Sequence, residues 1–547
     1  MDEQRFISLL GKMVAEVKDS LMASNPNRQE VAAARHVVEV LADVDHVSIK
    51  TREYAPGRTN LVLQFPNARP AARGPGAGDV KDDDKKPVVA AAAAAGAGPA
   101  RTVAFVGAHL DVVDAKPEQW KRNPFELQVE DDKLYGRGTT DCLGHVALLV
   151  ELFRWLSAKH GSSVSAGTYG GPTVYAVIIC DEEIADYPQP PPAPGAPPKR
   201  EVGMERLLEE GELECLRTTG PVYFLDCDDI QPTIGTGGFA RWTLKATGLG
   251  AHSGMPGKGV NAIELGQDAL RSLQDCFYRT FGEHKLEAVY GFPSRSSMKP
   301  TVTVGAGAIT QIPAAFCISG DIRIVPFYRI QEVRRVLDAH LEELRRGGFR
   351  ALEGQRGPSS RYAGVQGCAP TVDLEWGKMA DGLACDLDGK GYRALAAATL
   401  KHAGVLLPKA LTAGLPCVAE MQAAGFDVNC LGFGVGAVYH QVDEYASLDD
   451  FRVGFQVLCD LVALKKFYRA AKGFLVPYRR RQRDAIRRPS PGRPYPILTK
   501  RLTQRLSEQH RLHSALHRDA TKKWCVVARS PSDGMSESRF NRAGGKL

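Results

Sequence analysis

Apolar residues fall at helical spacing at the start of the chain, through Phe6, Leu9, Leu10, Met13, Val17 and Leu21. They do so again between residues 29 and 43, through Val31, Ala34, Val37, Val38, Val40 and Leu41, so both stretches predict amphipathic helices. Residues 47–64 read as strands. The apolar run Val103-Ala104-Phe105-Val106 then predicts a buried strand, and Gly107-Ala108 lets the backbone pass close to whatever His109 faces. A helix over 143–160, a strand over 173–180, a helix over 204–210 and a strand over 222–225 follow. This alternation predicts an α/β fold, a mostly parallel sheet with helices on both faces.

From about residue 238 the rhythm changes. Strand 240–247, helix 260–278, strands 300–305 and 315–325, helix 330–346 and strand 371–375 run β-α-β-β-α-β. That order predicts an inserted, ferredoxin-like unit over 238–378. Helix 391–402 and the segment 428–467 return to the first rhythm, so the main domain is expected in two parts, 1–237 and 379–470. Residues 68–101 and 187–200 are rich in Ala, Gly and Pro and cannot bury enough apolar area to offset chain entropy; both are expected as disordered inserts.

Composition changes this picture at one point. The 547 residues are too many for a single core, and no apolar run approaches the ~20 residues of a membrane span. The net charge of +7 is misleading: residues 471–547 hold 19 Lys/Arg against 5 Asp/Glu, which leaves the first 470 residues at −7. The basic tail has few aromatics and no module signature, so a disordered extension is expected rather than a nucleic-acid or membrane surface. The acidic start is expected as an amphipathic first helix rather than a signal peptide. Twelve cysteines without a C-x-x-C pair fit reduced thiols of a cytoplasmic protein.

The chemistry gathers at strand ends. His109 and Asp111 follow the first apolar strand, Asp141 precedes the helix from Leu143, and Asp181-Glu182-Glu183 closes the strand over 173–180. Asp226-Cys227-Asp228-Asp229 follows the next strand, and His440 comes after Gly432-Phe433-Gly434-Val435-Gly436. Parallel strands end on one edge of a sheet, so these groups can converge there. Imidazoles with carboxylates suit Zn²⁺ or a neighbouring divalent ion, and one carboxylate can bridge two such ions. The adjacent Glu182 and Glu183 point to different sides, so one can bind metal while the other handles a proton.

The motifs GAHLDVV, YGRGTTDCLG, CDEE, GAHSGMPGKGVNAIEL, SGDIRIVP and VYHQVDEY resemble, in this order, those of the family of acetylornithine deacetylases, succinyl-diaminopimelate desuccinylases and carboxypeptidases. GRGTTDCLGH, IGTGG and MKPT are most similar to the plant-type acetylornithine deacetylase branch. The resemblance runs from about residue 5 to 468 and leaves out the tail. It implies a di-metal hydrolase with two divalent ions, Zn²⁺ or Co²⁺, acting on a small-molecule N-acyl amino acid such as N2-acetylornithine. It also implies that 238–378 is a lid and dimerisation domain of a homodimer.

Residue by residue, the resemblance implies that His109 binds one metal while Asp111 orients its ring, and that Asp141 bridges. Glu182 is implied as the general base that takes the proton of the attacking water and hands it to the leaving amine. Glu183 and His440 are implied as ligands of the second metal. His252 is implied to reach the substrate carbonyl from the lid, and Arg323 to grip the substrate carboxylate.

The chain departs from the family at three places. Where many relatives have Glu-Pro it has LDCDDIQP; counting back 12 residues from Gly238 selects Asp226 as the remaining ligand, with Asp229 the alternative. Thr310 stands where a lid asparagine is common, and Leu143 where a lysine is, the latter shared with the plant-type branch. A metallocarboxypeptidase or dipeptidase on the same scaffold remains an alternative activity. A non-catalytic relative that binds acidic partners through its tail is an alternative of another kind, opposed by the complete set of ligands and base.

Overall fold

The first helix, α1 (Glu3–Ala15), starts where the Asp2 side chain accepts the Arg5 N–H, and it buries Phe6, Leu9, Leu10, Met13 and Val14. Its expected continuation to Leu21 is instead a wider turn over Val17–Leu21, which keeps both of those residues buried. In this computed structural model the described residues are 1–463 apart from 26, 68–100, 184–201, 227–228, 306, 354–361, 363–364, 366–368, 413 and 416–417. The insert 187–200, the insert 68–101 save Arg101, and the basic tail therefore lie outside the described residues.

In chain order there follow α2 (Val31–Leu41), the hairpin β1 (Ser48–Ala55) and β2 (Arg58–Phe65), and β3 (Thr102–His109). Then come β4 (Gln128–Glu130), β5 (Lys133–Tyr135), α3 (Leu143–Ser165), β6 (Thr173–Ile179), α4 (Met204–Glu209), β7 (Pro221–Leu225) and β8 (Thr233–Thr236). The next group is β9 (Gly238–Thr247), β10 (Ala251–His252), α5 (Ala262–Thr280), α6 (Glu287–Tyr290), β11 (Ser297–Gly305), β12 (Gln311–Ile312), β13 (Ala315–Ile324), α7 (Ile330–Arg346) and β14 (Thr371–Ala380). The described chain ends with α8 (Lys390–Ala403), β15 (Lys409–Leu411), α9 (Val418–Ala423), β16 (Asp427–Leu431), β17 (Tyr445–Ser447) and α10 (Leu448–Val462).

The main sheet has eight strands in the order β1-β2-β6-β3-β7-β16-β8-β15. Its centre, β6-β3-β7-β16, is parallel, whereas β1–β2, β2–β6 and β16–β8 pair antiparallel, so the sheet is mixed at its flanks. Strand alternation divides two cores. Val103 and Phe105, with Val174, Ala176, Ile178, Tyr223 and Leu225, face α1, α2, α3, α8 and α10. Ala104 and Val106, with Val177, Ile179, Val222 and Phe224, face α4 and α9. Burial on both faces explains why β3 reads as an unbroken apolar run rather than an alternation.

The residues after β8 form a separate four-stranded antiparallel sheet, β11-β13-β9-β14, whose chain order β9-α5-β11-β13-α7-β14 is the βαββαβ arrangement. Ala240, Trp242, Leu244 and Ala246 of β9 face Leu265, Ala269, Leu273 of α5 and Val333, Leu337, Leu341 of α7. The elements missed in the sequence are mostly short: β4, β5, β10, β12 and β15 have two or three residues each, too few to show a period. Among the described residues no helix is long and apolar enough to cross a membrane, and the eight described cysteines are free.

Candidate metal centre

The parallel centre of the sheet brings the ends of β3, β6, β7 and β16 to one edge, where the strand-end residues meet. His109 is the last residue of β3 and is fully buried. Gly107 makes that position reachable: its φ is +91°, and a Cβ there would lie 2.5 Å from the Phe224 ring. The Nδ1–H of His109 donates to the main-chain carbonyl of Asp111 at 2.8 Å, which leaves the Nε2 lone pair free to coordinate. That Nε2 lies 3.0 Å from Asp141 Oδ1 and 3.4 Å from Asp226 Oδ1. The other Asp141 oxygen, Oδ2, lies 2.7 Å from His440 Nε2, which is in turn 3.3 Å from Glu183 Oε1. Asp141 sits just ahead of α3, whose N-terminal dipole favours its charge.

These separations fit two cations. Ligands held about 2.0–2.2 Å from one ion stand roughly 3.0–3.5 Å from each other, the range seen on the His109 side of Asp141 and between His440 and Glu183, while His440 and Asp141 stand closer, at 2.7 Å. Asp141 Oδ2 and Glu183 Oε1 are also buried acceptors without a well-aligned hydrogen bond. His109, Asp141 and Glu183 place one ligand atom each within 4.8 Å of one another, as do His109, Cys142 and Asp226. Burial keeps the Cys142 thiol well above its usual range, so it stands beside the cluster as a neutral group. Fully ionised, Asp141, Glu182, Glu183 and Asp226 would carry four negative charges, which two divalent cations would balance.

The protonation pattern shows the same need for positive charge. Burial, then the neighbouring Asp226, holds the Glu182 carboxyl well above the usual range. Burial and Asp141 push Glu183 up to about 8. His440 rises to about 10: burial opposes its charge, but Asp141 and Glu183 outweigh it. Asp141 itself is pulled down, because its contacts with His109 and His440 overcome its burial.

The structure differs from expectation at Asp111. Its carboxylate does not orient His109, since Oδ1 is 3.8 Å from Nδ1 and the ring is held by the Asp111 carbonyl instead. The carboxylate turns the other way, accepting the Glu182 N–H at 3.2 Å and the Glu183 N–H at 3.0 Å. It thereby fixes the backbone of both glutamates. Glu182 Oε2 ends 4.0 Å from His109 Nε2, beside the cluster rather than within it. Of the two aspartates left open after β7, Asp226 reaches the cluster. Asp229 instead accepts the Gly436 N–H at 3.1 Å and pairs with Lys409 at 3.2 Å.

His252 and Arg323 are not brought to this cluster. His252 ends the short strand β10, exposed, where it accepts the Gly254 N–H at 3.0 Å, and the following Ser253 N–H donates to the Thr310 carbonyl. Arg323 pairs with Asp321 at 2.6 Å and lies over the Phe239 ring. Neither shares a hydrogen bond or ion pair with the cluster.

Three groups around the centre carried no role in the sequence reading. Arg28, with 6% of its side chain exposed, joins Asp111 at 3.2 Å to Asp181 at 2.6 Å. It lies in a loop without periodicity, so no signal marked it. Tyr439 stacks on His440 with ring centroids 4.2 Å apart, and Glu444 is fully buried beneath the Asp141 loop. Both sit inside the motif VYHQVDEY, which was the available clue.

A profile of Peptidase family M20/M25/M40 matches residues 105–464. The acetylornithine deacetylase of Dictyostelium discoideum is 36% identical over 484 residues, covering 85% of this chain and 97% of that protein. That of Arabidopsis thaliana is 35% identical over 479 residues, covering 85% and 96%. Human carnosine dipeptidase 1 shares the fold, with a TM-score of 0.52 at 17% identity over 84% of this chain and 96% of that one. So does an M20 family metallo-carboxypeptidase from Sulfolobus solfataricus, with a TM-score of 0.53 at 15% identity over 85% and 99%.

Proposed function

Because the chain belongs to Peptidase family M20/M25/M40, we propose that this metal-dependent hydrolase removes the acetyl group of N2-acetylornithine, releasing ornithine and acetate. The substrate rests on two relatives at 35–36% identity that match over nearly their whole length. The reaction class rests on one observation, the Asp141 carboxylate with a different histidine at each oxygen.

The residues divide as follows. His109, Asp226 and Asp141 would hold one cation, and His440, Glu183 and Asp141 the other, Zn²⁺ or Co²⁺ in each case. When bound, the pair acidifies water and polarises the amide carbonyl. Glu182, lifted in pKa by burial, takes the proton from the attacking water and delivers it to the leaving amine. Asp111 keeps Glu182 in reach through its backbone N–H. His252 stabilises the developing oxyanion and Arg323 binds the substrate carboxylate, both from the unit over 238–378 acting as a lid in a homodimer. The exposed edge strand β11, with Val302 and Val304 open at 53% and 63%, supports pairing of two copies there. A cytoplasmic location accords with the eight cysteines among the described residues, all of them free.

The test is turnover of purified, Co²⁺-loaded protein on acetylornithine and on dipeptides. The expected result is a kcat/KM for acetylornithine at least about tenfold higher. The reverse order would make the chain a dipeptidase.

A further inference from the structure

The two halves of the centre are held in different ways. His109 ends a central strand and Asp226 follows its parallel neighbour β7, so pairing of β3 with β7 sets their spacing. His440 has no such support. It lies nine residues beyond the end of β16, in a loop where His440 and Asp443 both have left-handed backbone angles, φ 58° and 59°. Its side chain is 39% exposed, yet its Nε2 stands 2.7 Å from Asp141 Oδ2.

What joins that loop to the Asp141 loop is Glu444. This carboxylate is fully buried and meets four donors, all from residues 137–141. Oε1 accepts the N–H groups of Thr140 at 2.8 Å and Asp141 at 3.1 Å. Oε2 accepts the Gly138 N–H at 3.3 Å and pairs with Arg137 Nη1 at 2.5 Å. The Gly136 N–H donates to the Glu444 carbonyl at 3.1 Å. Arg137 extends the link by donating to the carbonyl of Gln441, the residue after His440, at 3.3 Å. The Thr140 hydroxyl adds a strand on the other side, donating to the Tyr445 carbonyl at 2.8 Å and accepting the Val435 N–H at 3.3 Å.

We propose that Glu444 is a positioning residue that clamps the His440 loop onto the Asp141 loop and so sets the affinity of the second cation, the one shared by Asp141, His440 and Glu183. The first cation would keep two ligands set by the sheet, His109 and Asp226, and would depend on the clamp only through Asp141. This rests on the two-cation reading above.

The experiment is a Co²⁺ titration of the metal-stripped full chain, followed by visible absorption and calorimetry, for wild type, Glu444→Gln and Thr140→Val. Gln keeps the shape of Glu444 but turns an amide N–H toward main-chain donors. The expected result for Glu444→Gln is a first affinity changed by no more than about threefold and a second weakened about 10–100-fold, the usual effect of losing an outer partner of a ligand. Turnover should then recover at high Co²⁺ with KM unaltered. Thr140→Val, which keeps the volume and the buried ion pair, should show the same selective weakening at a few-fold, so the test holds even if Glu444→Gln does not fold. Two unchanged affinities, or equal weakening of both, in the folded variants overturn the clamp. Wild type binding fewer than two ions overturns the two-cation reading instead.

Discussion

Removing the Arg28 guanidinium tests how the catalytic strand end is held. Arg28 and its partners Asp111 and Asp181 have side chains 6%, 0% and 8% exposed, so the triad lies out of water. Breaking a buried pair by deleting one member costs about 3–5 kcal/mol, because a charge is left without compensation. Here each carboxylate retains something: Asp111 keeps the N–H groups of Glu182 and Glu183, and Asp181 keeps Arg58 at 2.9 Å. The expected loss for Arg28→Met is therefore at the low end, about 3 kcal/mol. Asp111→Asn removes the same charge pair, so the double variant should lose clearly less than the sum, with a coupling of at least about 1 kcal/mol. The assay is urea unfolding by tryptophan fluorescence for wild type, both single variants and the double variant. Because Asp111 anchors the Glu182 backbone, kcat should also fall about 10–100-fold in Arg28→Met with KM little changed. A stability change under about 0.5 kcal/mol, or strict additivity, would refute the argument that this triad is a buried, coupled unit.

Two further outcomes follow from the site. Glu182→Gln should retain both cations by elemental analysis while kcat falls about 10²–10⁴-fold, and turnover within tenfold of wild type would remove Glu182 from the role of base. The metal-free protein should lose stability as pH rises. Glu183 is pushed up to about 8 in the fold from an ordinary value of 4.5, and His440 to about 10 from 6.5, so between those values the folded chain holds protons that the unfolded chain has released. Cations displace those protons, so the rise in melting temperature on adding Co²⁺ should grow from about pH 6 to about pH 9. A flat or falling difference in scanning fluorimetry would contradict the assignment.

The sequence carried most of the elements because they are written in local pattern, while the candidate site residues were legible only through motifs that resemble a known family. Apolar periods of 3.6 and 2 reflect which face of each element is buried, and α7 was expected and found at residues 330–346. Strand-end and loop position allowed His109, Asp141, Asp181 to Glu183, Asp226 to Asp229 and His440 to converge on one edge, and it was the family resemblance that singled out His109, Asp141, Glu183, Asp226 and His440 among them. Only the tertiary structure decided how those groups are held. That the Asp111 carbonyl, and not its carboxylate, orients His109 depends on a backbone turn that no side-chain pattern records. Arg28 reaches Asp111 across 83 positions, and Glu444 reaches Asp141 across 303. Nothing in the neighbours of Arg28 distinguishes it from a solvated arginine, and its role exists only once the sheet has brought distant segments into one water-free space. The same holds for the choice between Asp226 and Asp229: three residues apart in sequence, they differ because one points into that space and the other is turned toward Lys409 and Gly436.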